Sequence, residues 1–295
     1  MSVIFDITHS TLYRYARPVA LREHRVLFRP RSSHDMRVLG THLEILPAPQ
    51  QVRLIQDAYS NSVALVQPMS PADTLHVTCS FTVEHAGSSA GEGRPPGQAL
   101  PYPFGYGSED LIALAHYLQP WYDDPGEALF SWAAAIAQAA GGDARAVLLA
   151  MNAAIFGQLL YQPRDMEGVQ TPCATLQAGT GTCRDYATLM LEAVRRLGFA
   201  ARFVSGYAYA PDRDVAGSVD MPGGATHAWV EVYLPDEGWL SFDPTNNLVG
   251  GQHLIRVGVA RHASLASPIQ GAWDGMAGDY LGMQVDVQVH MRTAP

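Results

Sequence analysis

The chain reads as a mixed helix-and-strand protein in two parts, and three observations predict this. Residues 1–85 break into short runs rich in β-branched and aromatic residues, partly alternating. Residues 108–160 turn helical, with a start signal at Asp124 and a stop at Gly141-Gly142. Residues 199–210 and 226–247 return to strands. Segment 86–107 is rich in Gly, Pro and Ser and reads as a linker or domain boundary. The expected units are a β-rich domain over 1–100 and a second domain over 101–295, a division that a length of 295 residues accommodates.

Each element has a local reason. Thr11–Tyr15, Val38–Ile45, Val52–Ile55, Ser62–Gln67 and His76–Glu84 are the expected strands of a small β-sandwich. Tyr59-Ser60-Asn61-Ser62 is the turn between two of them. Asp124-Pro125-Gly126-Glu127 offers an N-cap, a first-position proline and an acid. Asp143 can cap the following helix, whose Ala146, Leu149, Ala153 and Phe156 form an apolar stripe for the core. Thr182 and Asp185 form a capping-box pattern that opens a helix running to Leu197. Tyr186, Leu189, Met190, Ala193, Val194 and Leu197 are its buried face, and Gly198 ends it in the left-handed conformation. Residues 211–225, with three glycines, read as a mobile loop beside whatever site the strands build.

Composition narrows the function. The net charge is −9, which argues against nucleic acid or an anionic membrane as partner, because phosphate binding needs a basic surface. All positive residues are arginine, as a biased genome composition would produce. The three cysteines, Cys79, Cys173 and Cys183, form no CxxC pair, so neither a disulfide framework nor a cysteine zinc site is expected. The start of the chain shows no basic region followed by an apolar one, and the uncharged stretch 128–142 is too short to span a bilayer. A cytoplasmic protein without cofactor or metal is the expectation, with no calcium-loop pattern.

The chemistry points to Cys183. The capping box places it at the first helical position, where amides lack intrahelical acceptors and the helix dipole favours negative charge. A thiolate is stabilised there, and the same amides can hold a developing oxyanion. The segment 226–234 alternates as a half-buried strand with His227, Trp229, Glu231 and Tyr233 on one face. Pro235-Asp236-Glu237-Gly238 is turn material, and Trp239 to Asp243 is the return strand. The midpoint of 227 and 243 is 235, inside that turn, so the expected hairpin sets His227 directly opposite Asp243. A slip of one would flip Asp243 to the other face. With that pairing, Asp243 fixes the tautomer of His227 and the other ring nitrogen faces the cysteine.

The run Thr171-Pro172, Gly179, Gly181, Cys183-Arg184-Asp185, Arg196 to Arg202, Ser205-Gly206-Tyr207, His227 to Val232, Gly238-Trp239 and Phe242 to Thr245 resembles the transglutaminase-like superfamily. Tyr13-Arg14-Tyr15, Pro18-Val19 and Arg29-Pro30-Arg31 resemble the β-rich region that precedes this domain in the bacterial branch, which includes sequences of cysteine peptidase type. The resemblance implies an α+β, papain-like fold in which the cysteine helix packs on an antiparallel sheet. It implies Cys183 as nucleophile, His227 as base and acid, and Asp243 as orienter. Where animal cross-linking enzymes carry an aromatic after the cysteine, this chain has Arg184. Tyr161, Trp132 and Gln177 are all open as a second oxyanion donor.

The expected activity is acyl transfer from an amide through a thioester on Cys183, with a peptide or protein as substrate. Water as acceptor makes a peptidase or amidase, the favoured outcome; an amine makes a transamidase. A peptide-binding module with an idle site is the rival of another class. Seven arginines between 14 and 37 read as an ion-paired or solvated strand face rather than an acidic-peptide site. Cys173 reads as a small buried residue rather than a resolving thiol. His253 and His262 have no metal-ligand spacing.

Overall fold

The computed structural model describes residues 2–87, 99–163, 168–209 and 225–293. Six strands come first: β1 (Val3–Leu21), β2 (His24–Arg29), β3 (Met36–Leu46), β4 (Gln51–Gln56), β5 (Ser62–Gln67) and β6 (Ala72–His85). Helices α1 (Ser108–Leu118), α2 (Ala128–Ala139) and α3 (Ala144–Gln158) follow, then β7 (Leu160–Tyr161), α4 (Pro172–Ala178), β8 (Thr180–Gly181) and α5 (Cys183–Arg196). The rest is mainly strand: β9 (Ala201–Ala208), β10 (Ala225–Leu234), β11 (Gly238–Asp243), β12 (Leu248–Val249), β13 (Leu254–Ala260), β14 (Ile269–Gln270), β15 (Trp273–Asp274) and β16 (Tyr280–Thr293).

The fold is α+β. At the amino-terminal end, one sheet runs β16-β1-β6-β3 with β15 on the far end of β1, and a second runs β14-β2-β5-β4. Phe5, Ile7, Phe28, Val66, Val77 and Phe81 are buried between them. The expected strands are all present, Ser62–Gln67 with its expected bounds and the other four longer, and β2 was not foreseen. Its sequence, His24-Arg25-Val26-Leu27-Phe28-Arg29, has three consecutive apolar residues that hide any alternation, and all three are buried. Strands β14, β15 and β16 pair with β2 and β1, so the carboxyl-terminal strands up to Thr293 hydrogen-bond into the amino-terminal sheets.

The second sheet system is antiparallel in the order β12-β11-β10-β9-β13. Helix α5 packs on β10 and β9 and is itself surrounded by α2, α3 and α4. It is buried from Asp185 to Arg195, so it forms the centre of the helical layer. Its Leu189, Met190, Ala193 and Val194 share a core with Ala228, Val230 and Val232 of β10. At roughly 1.5–3 kcal/mol per buried aliphatic side chain, this contact fixes the axis of α5 against the sheet.

Four local expectations need correction. Residues 99–107 are not a loose linker: the Tyr102 hydroxyl donates to the Leu197 carbonyl at 3.0 Å, and its ring stacks on Phe199 at 5.3 Å. Residues 88–98 lie outside the described residues. Helix α2 begins at Ala128, three residues late, because Glu127 takes a left-handed conformation (φ 50°); Asp124 still accepts from the amides of Leu129 and Phe130. In α3 the buried residues are Val147, Leu148, Met151 and Ile155, whereas Leu149 and Phe156 are exposed. That helix is apolar on both faces, so its periodicity did not select one. Strand β10 is buried on both faces, not half-buried, because the side away from α5 also packs: Trp229 lies against Val204, Leu254 and Val259. The loop expected over 211–225 falls, up to 224, outside the described residues.

Candidate active site

Thr182 is the N-cap of α5 in the expected capping box. Its hydroxyl accepts from the Asp185 amide, and the Asp185 carboxylate accepts from the Thr182 amide at 2.9 Å. Asp185 also takes the Gln170 amide at 2.7 Å, which ties the segment before α4 to the helix start. Gly181 leaves no room for a side chain: a Cβ there would sit 2.9 Å from the Asp185 Cβ. Cys183 is therefore held at the first helical position. The Thr182 carbonyl takes the Tyr186 amide, so the amides of Cys183 and Arg184 stand at the helix start without an intrahelical acceptor. The thiol is half-buried and unpaired with any other cysteine.

The β10–β11 hairpin pairs Val230 with Phe242 and Tyr233 with Trp239. This register differs by two residues from the expected one, because Asp236 takes a left-handed conformation (φ 66°) and the turn centres on it rather than on Pro235. A shift of two preserves the face. His227 and Asp243 are thus diagonal neighbours rather than directly opposed. The structure still brings them together: His227 Nε2 and Asp243 Oδ2 are 2.8 Å apart. The Cys183 sulfur lies close enough to the imidazole to help raise its pKa, and both line one cavity. With Nε2 engaged by Asp243, the ring nitrogen left for the sulfur is Nδ1.

Asp243 is completely buried and itself positioned. Its Oδ1 accepts from the Thr245 and Asn246 amides at 3.0 and 3.3 Å, and Asn246 Nδ2 donates to Oδ2 at 2.7 Å. Asn246 thereby joins the cluster, a member the sequence reading missed; its position three residues after Asp243, in a turn, was the available signal. Burial opposes the His227 charge, but the Asp243 carboxylate and the sulfur outweigh it and raise the imidazole pKa to about 10. The Asp243 carboxyl is held below its usual range, because the imidazolium and the Asn246 bond outweigh burial.

Gly206 of β9 faces His227 in the sheet. A Cβ there would lie 2.1 Å from the Ile255 carbonyl and 2.9 Å from the Trp229 ring, so only glycine allows β13 and Trp229 to approach. Below His227 on β10, Glu231 is fully buried between two guanidiniums: Arg202 Nε at 2.7 Å and Arg256 Nη1 at 2.7 Å. Arg256 also reaches Asp35 of the amino-terminal sandwich at 3.0 Å, linking the two sheet systems.

A cavity of about 600 Å³ opens over Cys183 and His227. Its far wall comes from the amino-terminal sheet, through Thr11 and Tyr13 of β1 and Met283 and Val285 of β16. Nothing local in the sequence signals that wall, because it depends on pairing the two ends of the chain. His9 and His262 also border it. His9 Nδ1 lies 2.7 Å from the Tyr207 hydroxyl, and His262 Nε2 lies 2.9 Å from the Tyr122 hydroxyl. Burial lowers the pKa of both rings to about 4.

Of the three open donors, Trp132 Nε1 is bound to Gln158 at 3.0 Å, Gln177 is exposed on α4, and Tyr161 lies on β7 beside Gly181. None lines the cavity. Cys173 is half-buried with its thiol 3.6 Å from Asp124 Oδ1. Of the seven arginines, Arg17, Arg22, Arg25 and Arg37 pair with Asp279, Asp274, Asp57 and Glu84. Among the described residues no His, Cys, Asp and Glu cluster could hold a metal ion, and His253 is exposed.

A helix start bearing sulfur, beside a sheet bearing an imidazole–carboxylate pair, defines a thiol-protein class with a papain-like core. Residues 131–244 match the transglutaminase-like superfamily, and residues 5–84 match the bacterial transglutaminase-like N-terminal region. The chain belongs to that superfamily, in the bacterial branch that carries this N-terminal region. A Cytophaga hutchinsonii protein called a "putative cysteine protease" has the same fold, with a TM-score of 0.72 over 100% of this chain and 92% of that one, at 17% identity. An uncharacterized protein of Mycobacterium leprae is 27% identical over 95% of this chain and 97% of its own length. A protein-glutamine gamma-glutamyltransferase of Pseudomonas aeruginosa is 38% identical over 66 residues, which is 22% of this chain and 10% of that protein.

Proposed function

We propose that the chain is a cysteine hydrolase of amide bonds, acting through a thioester on Cys183. Family membership supports thiol-dependent acyl transfer as the kind of chemistry. The observation that carries the finer reading is one imidazole held 2.8 Å from a buried carboxylate in the same cavity as a sulfur at a helix start. The Cys183 thiolate attacks the amide carbonyl, and the oxyanion forms beside the helix-start amides. On collapse the C–N bond breaks, and the amine leaves with the proton from His227. Water, deprotonated by the same ring, then cleaves the thioester, releasing the acid and restoring the thiolate. Asp243 holds the ring and stabilises its cationic form. The unpaired cysteines suit the reducing, cytoplasmic setting expected for a free thiol.

Mass spectrometry with peptide amides tests this: an acyl adduct on Cys183 is expected and must vanish in Cys183→Ala. Absence of any adduct across a broad peptide library overturns it. Iodoacetamide labelling separates it from a peptide-binding module with an idle site, since an activated Cys183 outpaces free cysteine near pH 6. The likeness to a protein-glutamine gamma-glutamyltransferase favours a second reading, in which an amine resolves the thioester. Ammonia release compared with amine incorporation on a glutamine peptide decides between the two.

A further inference from the structure

We infer that Arg184 is a specificity residue, whose guanidinium receives a carboxylate carried beside the scissile amide of the substrate. The inference rests on the acyl-transfer reading of Cys183 and adds a substrate class to it.

Arg184 follows Cys183 at the start of α5, and both line the same cavity. The guanidinium is anchored at one corner, where Nη2 donates to the Ala263 carbonyl at 3.0 Å, and its carbon lies 5.6 Å from the Phe203 ring centroid. A guanidinium has five N–H donors in a fixed fork, so this anchoring leaves donors for a ligand. Among the described residues no carboxylate pairs with it. Arg195, Arg196, Arg202 and Arg256 each hold a glutamate instead. The remaining wall repeats the contrast. Although the protein carries a net charge of −9, no aspartate or glutamate among the described residues lines this cavity, and Arg184 is its one arginine. Tyr122 and Ser264, whose hydroxyls bond His262, border the same space.

The negative charges acting on this partly buried guanidinium are those of its chain neighbours Cys183 and Asp185, and among the described residues no carboxylate bonds to its fork. A carboxylate from the substrate supplies that partner and matches the fork in two parallel hydrogen bonds. Leu27, Met283 and Val285 line the same cavity and suit apolar atoms of the same substrate. The cavity therefore fits an acyl donor that carries both an acidic group and apolar bulk near the amide. The acidic group has two chemical sources: an Asp or Glu side chain, or a free α-carboxylate.

The test uses the full chain and two alkylating probes of similar size, anionic iodoacetate and neutral iodoacetamide. Mass spectrometry follows Cys183 alone, and each rate is divided by that of free cysteine. The normalised iodoacetate-to-iodoacetamide ratio is expected to fall about tenfold in Arg184→Gln, the scale of a charge-assisted hydrogen bond, and to return in part in Arg184→Lys. An unchanged ratio overturns the inference. So does an equal slowing of both probes, which would mean that Arg184 only braces the helix start or the thiolate. If both probes react slowly in the wild type, the acyl-transfer reading fails, while the ratio still reports on Arg184. Peptide amides with an acidic side chain, or with a free α-carboxylate, are then each compared with a neutral twin. The source that the site takes is cleaved faster than its twin and loses that advantage in Arg184→Gln; if neither outpaces its twin, the inference is wrong.

Discussion

Two regions of one cleft treat a buried imidazole in opposite ways. At the Cys183 end, the His227 side chain is 8% exposed and its pKa is raised to about 10. At the amino-terminal wall, His9 is 2% exposed and its pKa is lowered to about 4. Desolvation acts against the charge on both rings. What differs is the partner. His227 meets a carboxylate at 2.8 Å, whereas His9 meets the Tyr207 and Thr11 hydroxyls at 2.7 and 3.2 Å. His262 bonds the hydroxyls of Tyr122 and Ser264, and burial lowers its pKa too: the Glu192 carboxylate pulls it up without touching the ring, and nearby arginines push it down. Burial sets the penalty on charge; a carboxylate in direct hydrogen-bond contact decides whether a ring keeps it.

The strongest way to sharpen this contrast is to remove each part of the charged end. Cys183→Ala is expected to lower amide turnover by about 10⁴-fold or more, measured as product release from a peptide amide. Asp243→Asn keeps the shape of the side chain and removes its charge. A loss of roughly 10²–10⁴-fold in kcat/KM is expected, with little change in KM. The variant also carries a charge readout. The folded pKa of His227 lies above the unfolded value of about 6.5. Its stabilising contribution is therefore complete below pH 6.5 and disappears as pH rises toward 10. Urea melts of the wild type should lose that contribution between pH 7 and pH 10, and those of Asp243→Asn should not. Equal slopes in the two proteins would break the comparison, because Asp243 would then not be the source of the charge.

The charged end was the legible end. Cys183 at a helix start follows from Thr182, Asp185 and Gly198, which act within a few residues of the chain. The shared face of His227 and Asp243 follows from period-two geometry and survives a register error of two. The register itself depended on one left-handed residue, Asp236, which side-chain alternation does not report. The neutral end was illegible. Its wall forms only when β16 pairs β1, joining Tyr13 to Met283 and Thr11 to Val285 across nearly the whole sequence. The buried face of α3 was missed for a related reason: both of its faces are apolar, and only its neighbours choose between them.

Glu231 extends the comparison to an acid. It is as buried as His9, yet it stays ionised because Arg202 and Arg256 flank it; burial pushes its pKa up, and the two guanidiniums bring it below the usual value. Glu231→Gln preserves the shape and leaves two cations facing a neutral amide. Removing one partner of a buried ion pair typically costs about 3–5 kcal/mol, so a fall of that order in urea-melt stability at pH 7 is expected. A change below about 1 kcal/mol would show that partnership matters less here than at His227.

The smallest expected effect lies at the neutral end. The pKa of His9 is depressed in the folded protein, while the unfolded chain takes up its proton near pH 6.5. The unfolded state therefore binds more protons between about pH 6.5 and pH 4, and stability drains away as pH falls through that window. The slope is opposite to that of His227. His9→Gln keeps a hydrogen-bonding partner for the buried Tyr207 hydroxyl and cannot titrate. The stability difference between wild type and His9→Gln should shift by up to about 3 kcal/mol against the wild type from pH 7 to pH 4, read from urea midpoints at each pH. A parallel pair of curves would mean that His9 carries its proton in the fold after all, and that a carboxylate is not what separates the two ends of the cleft.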